Sequence, residues 1–254
     1  MITQRQGILL ASIIENFIRT AEPVSSKLLE KSGFFGLSSA TIRAEMNGLE
    51  DLGFLAHIYT SSGRVPTDRA YRYYVDNMVV NQKSKIKNQK YQNVIKSAVH
   101  DAGTDPREIN RIVAQTLSEL SDNLVITGIE EEQDFFKVGL SSLFEMPEFR
   151  EFDRAFRLTS FFDEFESLFN KIEKEFFDLP AEALAKEGDI KIFIGRENTV
   201  PDIRDETVMF VKYNLPHDLT GSLTLIGPTR MDYAKNIGLI KYATGELNKL
   251  SKEV

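Results

Sequence analysis

Leu9, Leu10, Ile13, Ile14, Phe17 and Ile18 recur at helical spacing and predict a first amphipathic helix across about residues 4–19. Glu22-Pro23 breaks that pattern, and Ser25 or Ser26 can cap a second helix running through Lys31. Gly33 and Gly36 bracket a turn. Ser38 and Ser39 then cap a third helix to about Asp51, with Ile42, Met46 and Leu49 turned toward a core. Leu55-Ala56-His57-Ile58-Tyr59 and Arg64-Val65-Pro66 form the arms of a short ribbon, joined by Thr60-Ser61-Ser62-Gly63. Asp68 is the expected cap of a further helix carrying Tyr71, Tyr73, Tyr74 and Val75. Helix, Gly turn, helix and polar-tipped ribbon, in that order, predict a winged helix-turn-helix over residues 1–80.

Residues 81–105 read as a connecting helix or linker. Asn81–Lys90 is polar and basic, with Lys83, Lys85, Lys87 and Lys90 around a single aliphatic Ile86, a pattern more typical of a solvated face than of a DNA-tracking segment. A second domain, 106–254, mixes helices with strands. Helices are expected near 92–101 and 106–122, and strands at Leu124–Ile129, Ile190–Ile194, Thr207–Tyr213 and Gly221–Ile226. A last helix is expected from about Met231 to Leu250. The Phe-rich stretch 135–179 reads as helical, with Phe161, Phe162, Phe165, Leu168, Phe169, Ile172 and Phe176 as a stripe suited to a core or a subunit interface. The fold class is α+β.

Charge changes this picture more than composition does. The 254 residues are 42% hydrophobic and 27% charged, as in globular proteins, with a net charge of −7. Residues 1–80 hold eight Lys/Arg and eight Asp/Glu, so the whole negative excess lies beyond them. An acidic body behind a neutral head disfavours indiscriminate nucleic-acid binding and favours a selective binder. There is no cysteine, which excludes disulfides and thiolate chemistry. The start lacks a signal-peptide pattern, and no apolar run approaches the ~20 residues of a membrane span, so a cytoplasmic protein with no membrane association is expected.

A recognition helix needs short side chains in its first turn, so that its backbone can approach base edges, and one or two longer donors. Ser38, Ser39, Ala40 and Thr41 meet the first need, and the free N–H groups of the helix start suit a phosphate. Arg43 is the candidate for a guanine or phosphate contact, and Asn47 follows one turn on. The alternative is that Ser38 and Ser39 only cap the helix while Arg43 pairs with Glu45 or Asp51. Thr60, Ser61, Ser62, Gly63 and Arg64 form a polar hairpin tip with one guanidinium, suited to a phosphate or minor groove. Lys27 and Arg69 can add backbone contacts.

Enzyme chemistry finds little support. His57, His100 and His217 are far apart without metal-ligand spacing, and neither a phosphate-binding GxxxxGK[ST] loop nor a G-x-S-x-G elbow occurs. Gly227-Pro228-Thr229-Arg230 opens the last helix and can cradle an anion, but reads better as a strand-to-helix turn, with Arg230 and Asp232 fixing the helix start. No metal or cofactor is expected.

Specific motifs carry a family resemblance. Phe17-Ile18-Arg19-Thr20, Glu22-Pro23-Val24-Ser25-Ser26-Lys27-Leu28, Ser38-Ser39-Ala40-Thr41-Ile42-Arg43, Thr60–Asp68 and Tyr71–Asp76, together with Gly221–Ala234 near the end, resemble the bacterial HrcA family of heat-inducible transcription repressors. The resemblance implies a repressor on an inverted-repeat operator upstream of chaperone genes, released on heat shock. It also implies a GAF-like second domain, homodimerisation and a functional link to the GroEL-type chaperonin. Ala44 and Tyr59 depart from the family's usual Asn and His, which leaves the operator sequence open. The chain is also short for the family. The missing length falls between Ile129 and Phe135, where an inserted dimerising domain is usual and Glu130–Asp134 reads as a polar turn. The two-fold contact is then expected from 161–176 or from the last helix, the alternative being a monomer that binds half-sites weakly. Two other readings remain: a winged-helix regulator whose GAF-like domain senses a small molecule, and an enzyme acting on nucleotides with the head as targeting module.

Overall fold

The computed structural model describes residues 2–33, 36–58, 63–79, 88–130, 132, 134–177 and 189–253. The chain divides into two compact units. The first comprises Met1–Lys83 with Thr229–Asp232, and the second Ser84–Pro228 with Tyr233–Val254.

In the first unit, α1 (Gln4–Thr20) opens with a reciprocal cap: Thr3 Oγ1 accepts from Gln6 N–H, and the Gln6 side chain accepts from Thr3 N–H. It buries Leu9, Leu10, Ile13 and Ile14 and ends at Ala21 with a positive φ of 55°. Helices α2 (Ser26–Lys31) and α3 (Ser39–Asp51) follow, each capped by the serine before it. Strands β1 (Leu55–His57) and β2 (Arg64–Pro66) pair antiparallel, with His57 opposite Arg64.

The cap of α4 (Asp68–Tyr74) is Thr67, not the expected Asp68. Thr67 Oγ1 accepts from Ala70 N–H, while Asp68 becomes the first helical residue, where its charge suits the positive end of the dipole. Tyr71 and Tyr74 are buried, and a π-turn over Val75–Val79 continues the helix. Burial, with Glu15 nearby, pushes the Tyr74 phenol above its ordinary range. Residues 229–232 complete this unit. Arg230 Nη1 donates to the Ile18 carbonyl at 3.1 Å, placing a cation at the carbonyl-rich end of α1.

The second unit centres on a five-stranded antiparallel sheet in the order β4 (Asp134–Val138), β3 (Leu124–Ile129), β7 (Leu219–Pro228), β6 (Glu206–Leu215), β5 (Lys191–Ile194). One face carries Leu124, Ile126, Val208, Phe210 and Ile226. It packs against Phe161, Phe165 and Phe169 of α8 (Phe152–Phe177) and against Leu143 of the short α7 (Leu140–Phe144).

The other face meets α6 (Pro106–Ser121) and α9 (Tyr233–Glu253). Thr127 donates to the Asn110 carbonyl, Tyr213 donates to Asn110 Oδ1, and the Thr207 and Tyr233 hydroxyls are 2.9 Å apart. Because both faces are covered, the central strands are buried at almost every position instead of alternating.

One reading of the second half changes. The stretch 135–179 is not wholly helical, because Phe135 and Phe136 lie on edge strand β4, which pairs Gly128 with Phe135. Of the Phe stripe expected as a core or a subunit interface, Phe161, Phe165 and Phe169 lie in the protein's own core. Helix α5 (Gln89–Asp101), in the expected linker region, packs on α6 and α9. Lys83, Lys85 and Lys87 lie outside the described residues. No helix among the described residues is long and apolar enough to cross a membrane.

Candidate nucleic-acid interface

Four hydrogen bonds fix the start of α3. Ser38 Oγ accepts from Thr41 N–H at 3.3 Å and lies 3.0 Å from the Thr41 hydroxyl. Ser39 Oγ lies 2.9 Å from Ser26 Oγ, tying α3 to α2. Ser39 N–H donates to Glu30 Oε1 at 3.0 Å. The helix start is therefore less open to a phosphate than the sequence suggests, since an internal carboxylate already sits on one of its amides.

Ile42, Met46 and Leu49 are buried, as their spacing predicts, and this turns the opposite face of α3 outward. That face presents Ala40, Thr41, Arg43, Ala44 and Asn47, all exposed. Glu45, one possible partner of Arg43, pairs instead with Arg5. Among the described residues, neither Arg43 nor Lys27 of α2 makes an ion pair. Both line a cleft of about 510 Å³ between α2, α3 and the base of the ribbon, together with Val24, Ser39, Ala40 and Arg64. Two uncommitted cations and several small side chains around one cleft can receive a phosphate-bearing backbone.

The ribbon is held against this cleft from both sides. Val24 N–H donates to the Arg64 carbonyl at 2.9 Å, and Arg64 N–H donates to the Val24 carbonyl at 2.8 Å. Gly63 runs close beside the same Val24 backbone.

The Arg64 side chain does not project outward as the sequence suggests. Its Nη2 donates to Asn47 Oδ1 at 2.6 Å. Its Nε lies 2.8 Å from Glu50 Oε2, a charge contact outside hydrogen-bond alignment. Glu50 Oε1 also lies 2.5 Å from His57 Nδ1. The sequence alone does not single out Glu50. Its partners come from a ribbon that folds back onto α3, and no local spacing encodes that. Arg69 is likewise engaged: it donates to the Leu52 carbonyl at 2.8 Å and stacks on Phe54. Thr60, Ser61 and Ser62 lie outside the described residues.

The histidines remain dispersed. His57 is committed to Glu50, His100 is exposed beside Asp101, and His217 sits in the β6–β7 turn with a φ of 65°.

Comparison with known proteins is consistent across most of the chain. The family model described as HrcA protein C terminal domain matches residues 43–237. The heat-inducible transcription repressor HrcA of Oceanobacillus iheyensis is 28% identical, covering 97% of this chain and 96% of its own length. The protein of the same description from Ruminiclostridium cellulolyticum is 26% identical, covering 98% and 97%. These alignments run over 335 and 346 positions against a chain of 254 residues, so the relatives hold internal residues with no counterpart here. One crystal structure, of a protein described only as hypothetical, superposes with a TM-score of 0.77 at 19% identity over 100% of this chain and 99% of that one.

Proposed function

Since the chain belongs to the HrcA family, we propose that it is a sequence-specific DNA-binding repressor of heat-shock genes, acting in the cytoplasm at an inverted-repeat operator. In this reading the first unit is a winged helix-turn-helix. Helix α3 enters a major groove, where Ala40 and Thr41 permit close approach and Arg43 reaches a guanine edge or a phosphate. Lys27, with the hydroxyls of Ser38 and Ser39, contacts the flanking backbone. The wing of Thr60, Ser61, Ser62 and Gly63 lies along the adjacent strand. The observation that carries this reading is the outward face of α3, which pairs small residues with a cation that no carboxylate among the described residues neutralises.

The second unit is a GAF-like body that supports homodimerisation and connects the repressor to the GroEL-type chaperonin. In this reading the extra residues of the relatives fall between β3 and β4, where Ile129 pairs directly with Asp134. A repressor family is not an enzyme class, and the exposed face of α3 calls for no bond-making chemistry. Release on heating follows from thermodynamics. Folding free energies of about 5–15 kcal/mol let modest warming deplete a binding-competent dimer, and two heads on one palindrome lose affinity sharply once they separate.

Fluorescence anisotropy tests this with an inverted-repeat duplex from upstream of the host's chaperonin genes and a scrambled duplex, each at growth and heat-shock temperatures. Tight binding to the repeat alone, lost on heating, is expected. Equal weak binding to both duplexes would sink the operator reading.

A further inference from the structure

Arg64 is the cation a sequence reading assigns most readily to DNA, yet it is the most committed side chain at the cleft. Its backbone pairs with Val24 in both directions, and its guanidinium spans Asn47 and Glu50. Only 12% of its side chain is exposed. A phosphate would have to draw it away from a carboxylate 2.8 Å distant and an amide oxygen 2.6 Å distant. Glu50 in turn holds His57, which faces Arg64 across the ribbon, so a single carboxylate grips the facing residues of both strands. Lys27 and Arg43 bear no such commitments among the described residues.

We propose that Arg64 and Glu50 are positioning residues for DNA recognition: they latch the ribbon to α3 at a fixed angle and leave phosphate contact to Lys27 and Arg43. The inference rests on the DNA-binding reading above. A planar guanidinium suits the latch, since its fork meets two acceptors at once where an ammonium meets them singly. The latch also accounts for an acidic residue held against Arg64, which itself lines a cleft meant for a polyanion. Electrostatics alone disfavours Glu50 there, whereas a latch requires it.

Salt dependence separates the roles, because each phosphate contact steepens the fall of log K with log salt by ~0.9. The full-length protein and its variants are titrated with operator and scrambled duplexes from 50 to 200 mM salt. Lys27→Ala and Arg43→Ala are expected to flatten the slope by about 0.9 per head. Arg64→Gln and Glu50→Gln are expected to leave the slope unchanged and weaken operator binding roughly tenfold, the double variant costing no more than either single one. Arg64→Lys, which keeps the charge and the fold but loses the fork, is expected to behave like Arg64→Gln.

Three results would overturn the proposal: a slope that flattens with Arg64→Gln as it does with Lys27→Ala, operator binding that tightens with Glu50→Gln, or full affinity retained by Arg64→Lys. Parent protein that binds no duplex at any salt would instead remove the DNA-binding reading itself.

Discussion

Gly63 approaches Val24 so closely that a Cβ on it would lie 2.5 Å from both the carbonyl carbon and the carbonyl oxygen of Val24. That separation is below any real contact, and the obstacle is backbone, which has little freedom to yield. Gly63→Ala is therefore expected to push the ribbon off the α1–α2 connection and break the paired Val24–Arg64 hydrogen bonds. The expected cost is about 1–3 kcal/mol, the usual range for overpacking. Thermal denaturation measures it, and an unchanged melting temperature would contradict the close approach.

Arg154 and Glu206 form a two-pronged pair at 2.8 and 2.9 Å, with Glu206 only 2% exposed. Burial raises the Glu206 carboxyl above its ordinary range, and Arg154 partly offsets the rise. Arg154→Met removes the offset and leaves a buried charge, at a cost of about 3–5 kcal/mol near neutral pH. A carboxyl whose folded value is raised contributes stability at low pH and loses it as pH climbs. The gap between variant and parent should therefore narrow as pH falls toward about 5. Urea titrations at several pH values measure that gap, and a constant difference would refute the assignment.

The Tyr213 hydroxyl donates to Asn110, whose carbonyl also accepts from Thr127, so α6 is pinned to the sheet by two buried bonds. Tyr213→Phe strands the Asn110 side-chain oxygen. The expected loss is about 1–3 kcal/mol, the penalty of an unsatisfied buried acceptor, seen as a lower urea midpoint at unchanged m-value.

Phe165 touches Phe135, Phe161 and Phe169 at the centre of the core under α8. Phe165→Ala is expected to cost about 3–5 kcal/mol of folding stability. Analytical ultracentrifugation of the folded variant should show the parent's association state. Dissociation without loss of stability would return the Phe stripe to the role of a subunit contact.

The fold is legible in the sequence where local chemistry decides the outcome. Ser25 and Ser38 cap the helices that follow them, and Ile42, Met46 and Leu49 set which face of α3 is buried; both need only a few neighbouring residues. Strand β4 was missed because Phe135 and Phe136 are both apolar, and a half-buried edge strand beside a helical Phe stripe shows no clean alternation. Asp68 is the expected cap, yet Thr67 takes the position, because backbone direction after the ribbon decides between two good cap residues. The commitment of Arg64 to Asn47 and Glu50 depends on a strand folding back over a helix. The composition of a polar tip says nothing about that.

The first unit is discontinuous in sequence. Residues 229–232 belong to it, and Arg230 supplies a donor to the exposed carbonyls at the end of α1, 212 positions upstream. The head is therefore closed only once residues 229–232 have been made, so a chain truncated before them carries a head whose first helix lacks its closing cation.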